Sequence, residues 1–179
     1  MIEKLSALLS ALPKELYVFI ISMLPIVELR GAIPVGAALN IPFYLNYLIA
    51  VVGNLLPVPF ILLFIPKILD FMARFKAFRP IVEWLRTRAK KNSKKIIGEG
   101  ENIEESGEIA MSKAIFIGLM LFVALPIPGT GAWTGSLVAA LFDLQKKQSF
   151  LAVALGVLIC GVIMCLASYG VVGFLKFLL

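Results

Sequence analysis

The run Pro25-Ile26-Val27-Glu28-Leu29-Arg30-Gly31-Ala32-Ile33-Pro34 decides how the chain folds. It separates two short apolar runs, residues 16–24 and 35–39. Two prolines, a glycine and two charges near its middle argue against one continuous helix. Each arm has roughly 8–12 residues, about 12–18 Å at helical rise, which is half a bilayer. The region 16–40 therefore reads as a re-entrant hairpin that enters and leaves a membrane on one side. Non-helical backbone is tolerated at membrane depth where protein buries it or water reaches it.

Outward from this hairpin the same solvent is implied. The 179 residues are 60% hydrophobic and 16% charged, against about 45–50% apolar in soluble domains. Residues 31–66, 114–142 and 148–175 carry no Asp, Glu, Lys or Arg, and each stretch exceeds the roughly 20 apolar residues that a span needs. Residues 43–66 read as a crossing helix kinked at Pro57 and Pro59. Residues 67–112 read as a basic linker, with surface helices to residue 97 and a glycine-rich acidic loop over 98–108. The scheme then recurs. The run Pro126-Ile127-Pro128-Gly129-Thr130-Gly131-Ala132-Trp133-Thr134-Gly135 breaks a second hairpin over 113–142, and 149–178 is the last span. Leu24-Pro25-Ile26 matches Leu125-Pro126-Ile127, and Ala37-Ala38-Leu39 matches Ala139-Ala140-Leu141. The N-terminal residues carry no cleavage pattern of a secretory signal. Leu5, Leu8, Leu9, Leu12 and Leu16 share one face, as in an amphipathic helix on the membrane surface. The expected fold is a single all-α membrane domain with two inverted repeats, each a re-entrant hairpin plus a transmembrane helix.

Charge orients it. Of 17 Lys and Arg residues, 11 lie from Lys67 to Lys113. Hairpins return to their starting side and spans cross once, so Lys146 and Lys147 fall with the linker. That places 13 basic residues on one side, the cytoplasmic side of a prokaryotic plasma membrane by the positive-inside tendency, with both termini extracytoplasmic. The same distribution argues against nucleic acid as the partner. With no histidine in the chain, the commonest metal ligand is missing. Cys160 and Cys165 sit on different faces of one apolar segment and read as packing residues. No nucleotide loop, metal cluster or nucleophile with its base is present, so neither an enzyme nor a cofactor is expected.

The candidate site residues come from the two breaks. Glu28 and Arg30 are charges in an apolar segment, where charge is costly and faces a cavity or a partner. Glu28 suits a proton carrier and Arg30 an anion contact; the competing reading is that both tie the hairpin to its neighbours. Gly31 belongs to the same turn. Gly129, Thr130, Gly131, Trp133 and Thr134 offer exposed amides, hydroxyls and a cavity wall, or simply a tight hairpin tip. Asn54, deepest in the first span, either lines a path or hydrogen-bonds between helices. Glycines of the last span allow close helix contact, and a homodimer is expected to use it.

The paired motifs Glu28-Leu29-Arg30-Gly31-Ala32-Ile33-Pro34 and Pro126-Ile127-Pro128-Gly129-Thr130-Gly131-Ala132-Trp133-Thr134-Gly135 resemble the small multidrug export family of prokaryotic membrane proteins, over nearly the whole chain. More distantly they look similar to the DedA superfamily, which pairs inverted re-entrant hairpins with spans. Glu28 and Arg30 match the acidic and basic residues of the first DedA hairpin, whereas the second hairpin here has no charge at its tip. The resemblance implies a secondary transporter, proton-coupled, that exports small or amphipathic molecules or translocates an anionic lipid head group, from a site where the hairpin tips meet. Its partners would be membrane lipids, a small-molecule or lipid-phosphate substrate, and protons as the coupling ion. The alternatives are a non-transporting membrane organiser and an ion channel.

Overall fold

The computed structural model describes residues 13–74, 111–127 and 129–178. The expected amphipathic N-terminal helix, most of the basic linker and the acidic loop fall outside the described residues. Within them, regular structure is helical, with no strand. The helices are α1 (Lys14–Met23), α2 (Glu28–Ala38), α3 (Phe43–Leu55), α4 (Pro57–Ala73), α5 (Lys113–Ala124), α6 (Ala132–Leu141) and α7 (Lys146–Leu178). Two stretches are long and apolar enough to cross a membrane: Phe43–Ala73, taking α3 and α4 together, and Lys146–Gly170 within α7. The other helices have 10 to 12 residues, about half the length a crossing needs.

Both expected breaks are present and both are shorter than the sequence suggests. The first is confined to residues 24–27, and α2 begins at Glu28 and runs through Gly31 and Pro34. Pro34 removes only its own N–H, which would have reached the Arg30 carbonyl; later bonds such as Leu39 N–H to Val35 O at 3.0 Å are intact. What ends α1 is the residue before a proline. Leu24 is extended (φ −72, ψ 134) ahead of Pro25, because the proline ring disfavours helical backbone in its predecessor. Leu125 ahead of Pro126 is the same (φ −68, ψ 128). The second break closes at Gly131, so Trp133, Thr134 and Gly135 lie in the first turn of α6.

The hairpins also end alike. Asn40 and Asp143 are left-handed, at φ 56 and φ 51. Ile41 N–H bonds to Gly36 O at 3.0 Å and Asn40 N–H to Ala37 O at 3.1 Å; Leu144 N–H bonds to Ala139 O at 3.0 Å and Asp143 N–H to Ala140 O at 3.3 Å. Each is a Schellman cap with a buried apolar residue after the left-handed one. These bonds align Gly36 with Ala139, one residue away from the match of Ala37 with Ala139 that sequence similarity suggests.

The long helices differ in detail from expectation. In the first, regular hydrogen bonding lapses after Leu56, ahead of Pro57 and Pro59, while Leu56 itself stays helical (φ −58, ψ −43), and the helix continues through Pro66 to Ala73. Apolar Ile68, Leu69, Phe71 and Met72 extend it beyond the proline. The last helix starts at Lys146 rather than at residue 149.

The described residues divide into two compact units. One comprises the chain up to Leu56 and from Val157 onward, and the other runs from Pro57 to Gly156. In the first, α1, α2 and α3 pack on one another around Val18, Leu29, Ala32, Ile33 and Ala50. Lys14 Nζ closes the base of that hairpin by donating to Leu39 O at 3.0 Å. In the second, α6 packs on α4 and α5 around Val58, Leu62, Val123, Ala139 and Val153. Small residues permit the closest approaches. A side chain at Gly53 would strike Phe19 O and Ser22, and one at Gly156 would strike Met120 O and Val123. Meanwhile Leu48, Val52, Phe60, Leu63, Phe64, Leu151 and Leu166 are exposed, an apolar exterior suited to lipid rather than water.

Candidate functional site

Glu28 is the residue that the local fold treats most unusually. It starts α2 with φ 52, a left-handed conformation uncommon for non-glycine residues and concentrated where surrounding structure enforces it. Its N–H bonds to Leu24 O at 3.0 Å across the turn. Its side chain is only 6% exposed, and Arg30 Nη1 donates to its Oε2 at 3.3 Å. The Cys160 thiol of α7 lies near Arg30. A carboxylate and a guanidinium two residues apart are thus folded onto each other within a largely apolar helical unit. Gly31 follows them in the first turn of α2, where a side chain would collide with Val27.

A second polar cluster sits along the same unit. Asn46 Nδ2 donates to Ile33 O at 2.8 Å and lies 3.0 Å from Tyr169 Oη, and Tyr169 donates to Ile41 O at 2.6 Å. This cluster joins α2, α3 and α7. The Asn46 amide occupies the space where a side chain on residue 36 would stand, so Gly36 is required there. Tyr47 adds a bond from its hydroxyl to Leu158 O at 3.2 Å. Nothing in the sequence singles out Tyr169, because a tyrosine in a long apolar helix looks the same whether it anchors at an interface or bonds inside. An asparagine in an uncharged segment is the available signal for the cluster.

The residues expected from the second break lie in the other unit. Gly129 is exposed, with φ 89, a left-handed turn that favours glycine. The Thr130 hydroxyl lies 3.0 Å from Leu125 O and 2.9 Å from Ile127 O, and donates to the turn that it follows. Gly131 is the extended N-cap of α6, and Trp133 and Thr134 are half-buried in its first turn. Ser136 donates back to Ala132 O. In this unit a cavity of about 310 Å³ opens between α5 and α6, lined by Ile115, Gly118, Leu119, Phe122, Val138 and Phe142. It is apolar and includes none of the residues of the break. Among the described residues no group of three or more acidic, histidine or cysteine side chains could hold a metal.

A helical chain with two membrane-length apolar helices, an apolar exterior and an ion pair buried in one of its units is a helical membrane protein. It belongs to the family described as "Putative small multi-drug export protein", whose sequence model matches residues 28–163, more than half of the chain. That match begins at Glu28 itself. No curated protein and no solved structure matches the chain.

Proposed function

We propose that the protein is a proton-coupled secondary transporter of small or amphipathic molecules, among them molecules with an anionic head group. The observation that carries this reading is the pairing of buried Glu28 with half-buried Arg30 at a helix interruption. A charged pair of this kind is costly to bury and is weak evidence for stability, and in membrane segments such residues mark substrate and ion paths. Glu28 and an anionic substrate compete for one guanidinium. With Glu28 ionised, Arg30 is held by its neighbour. A proton on Glu28 weakens that pair and leaves Arg30 to hold a phosphate or carboxylate. Proton and anion then bind cooperatively, and for a monoanion they carry no net charge between them.

The architecture proposed for this activity is two inverted repeats, each a re-entrant hairpin followed by a spanning helix. Supporting it are the paired pre-proline ends at Leu24 and Leu125, the paired Schellman caps, and the equivalent approaches of Gly53 to α1 and Gly156 to α5. The short hairpin helices and the basic bias of Lys113, Lys146 and Lys147 favour inversion in the plasma membrane, with those lysines cytoplasmic.

The test uses proteoliposomes with an imposed pH gradient and a fluorescent amphipathic substrate. Glu28→Gln, which keeps the shape but cannot ionise, is expected to fold and to lose proton-driven uptake. Wild-type rates in that variant would defeat the reading, and so would failure of the variant to insert, which is the outcome a structural role predicts.

A further inference from the structure

The interruption at Leu56 falls near the middle of the stretch Phe43–Ala73. Proline chemistry makes it polar. Pro57 has no N–H, so the Gly53 carbonyl loses the donor that a continuous helix would supply, and Leu56 N–H is already spent on Val52 O at 3.1 Å. Gly53 is buried against Ser22, whose hydroxyl is turned to Phe19 O at 2.7 Å. The next residue, Asn54, is fully buried, and neither its Oδ1 nor its Nδ2 has a hydrogen-bond partner.

Asn46, the asparagine that ties helices together in this unit, leaves only its Oδ1 without a partner, whereas Asn54 leaves both ends. Two turns earlier on α3, Asn46 uses its Nδ2 on Ile33 O and Tyr169 Oη. Buried polar groups are nearly always paired, and an orphaned one is a site awaiting an account. An apolar residue of similar volume would fill the Asn54 position at lower free energy. Its neighbours place it in the unit of the ion pair. A side chain at Gly53 would meet Phe19 and Ser22 of α1, and one at Gly161, next to Cys160, would meet Val51.

We propose that Asn54, with the proline-freed carbonyl of Gly53, is a binding subsite for an uncharged group that both donates and accepts hydrogen bonds, a hydroxyl or a carboxamide carried on an amphipathic molecule. A bare cation would satisfy Oδ1 and the carbonyl but leave Nδ2 orphaned. An anion would satisfy Nδ2 and leave both oxygens. The Glu28–Arg30 pair of the same unit is balanced, so neither ion gains a net counter-charge from it. Asn54 is 0% exposed, so the group reaches it only when the protein opens. The inference rests on the transport reading and adds the polar, uncharged part of the ligand to it.

The experiment is thermal unfolding of the purified full-length protein in detergent, with octanamide, octanoate or octyltrimethylammonium as probes sharing one apolar tail. Octanamide is expected to raise the wild-type midpoint by about 2–4 °C, and the two ions to leave it in place. Asn54→Leu is expected to melt about 2–4 °C above wild type without ligand, because an orphaned amide is gone, and to lose the octanamide shift. Glu28→Gln keeps that shift. Should octanamide fail to move the wild type, or move Asn54→Leu equally, or should Asn54→Leu melt below wild type, the subsite is wrong. If Leu does not fold, Asn54→Ala is judged on the octanamide shift alone. Uptake persisting in Glu28→Gln overturns the transport reading without touching this result.

Discussion

Single side chains carry most of the physical tension in this molecule. Gly53 and Gly156 are placed where a Cβ would run into a backbone carbonyl on the facing helix, and backbone cannot move aside as a flexible side chain does. Gly53→Ala and Gly156→Ala are each expected to cost about 1–3 kcal/mol through overpacking, read as a lower melting midpoint in detergent, with the two losses similar in size. Tyr169→Phe removes one bond to Ile41 O and one to Asn46. Bonds between membrane helices average about 0.6 kcal/mol, up to about 1.7, so a modest loss of stability with uptake retained is expected. Arg30→Lys keeps a charge but lacks the planar fork; uptake of anionic substrates is expected to fall at least tenfold while uptake of uncharged ones changes little, as substrate competition would reveal. Glu28 and Arg30 were legible as charges out of place in an apolar run. The left-handed backbone of Glu28 was not, since nothing but the turn before it forces that angle.

At the scale of an element, local chemistry decides where each helix stops. Leu24 and Leu125 are ended by the prolines after them, whereas α2 and α6 are ended by left-handed residues that are not glycine. Glycine occupies such a position without the steric cost that other residues meet there. Asn40→Gly and Asp143→Gly are therefore expected to be neutral or stabilising by up to about 1 kcal/mol, and the corresponding alanines to destabilise by a similar amount. Ser112 accepts from Ile115 N–H at 3.3 Å as the N-cap of α5, and Ser112→Ala should cost about 1 kcal/mol in the same melt. The prolines at 25 and 126 announce these boundaries in the sequence, but Pro34 and Pro66 look equally disruptive and lie inside helices. The difference is tertiary: Ile33 and Leu62, next to or one turn before these prolines, are buried, so packing holds the helix across one missing bond.

Across the whole molecule, the proposed inverted topology makes a claim that no single residue makes. In a background of Cys160→Ser and Cys165→Ser, cysteines introduced at Lys113 and Lys147 are expected to react with an impermeant thiol reagent only from the cytoplasmic side. Labelling of the two from opposite sides would remove the second hairpin and replace it with a full crossing. The long helices contribute to two compact units, with the divisions at Leu56 and at Gly156. Residues 53 and 156, at or near those divisions, are the very glycines that pack on the first helix of each hairpin.

Composition and the spacing of prolines determined, without any coordinates, that the protein is helical, that it belongs in a membrane, and that the two charges inside an apolar segment, Glu28 and Arg30, sit at one break. Those properties follow from transfer free energies and from backbone groups that proline lacks, and both are local. Which asparagine is tied and which is left unpaired, which proline breaks a helix, and that Arg30 folds onto Glu28 beside Cys160 were decided by tertiary structure alone. Each depends on what another helix brings within hydrogen-bonding or van der Waals distance, and distance between helices is not written in the order of residues along one of them.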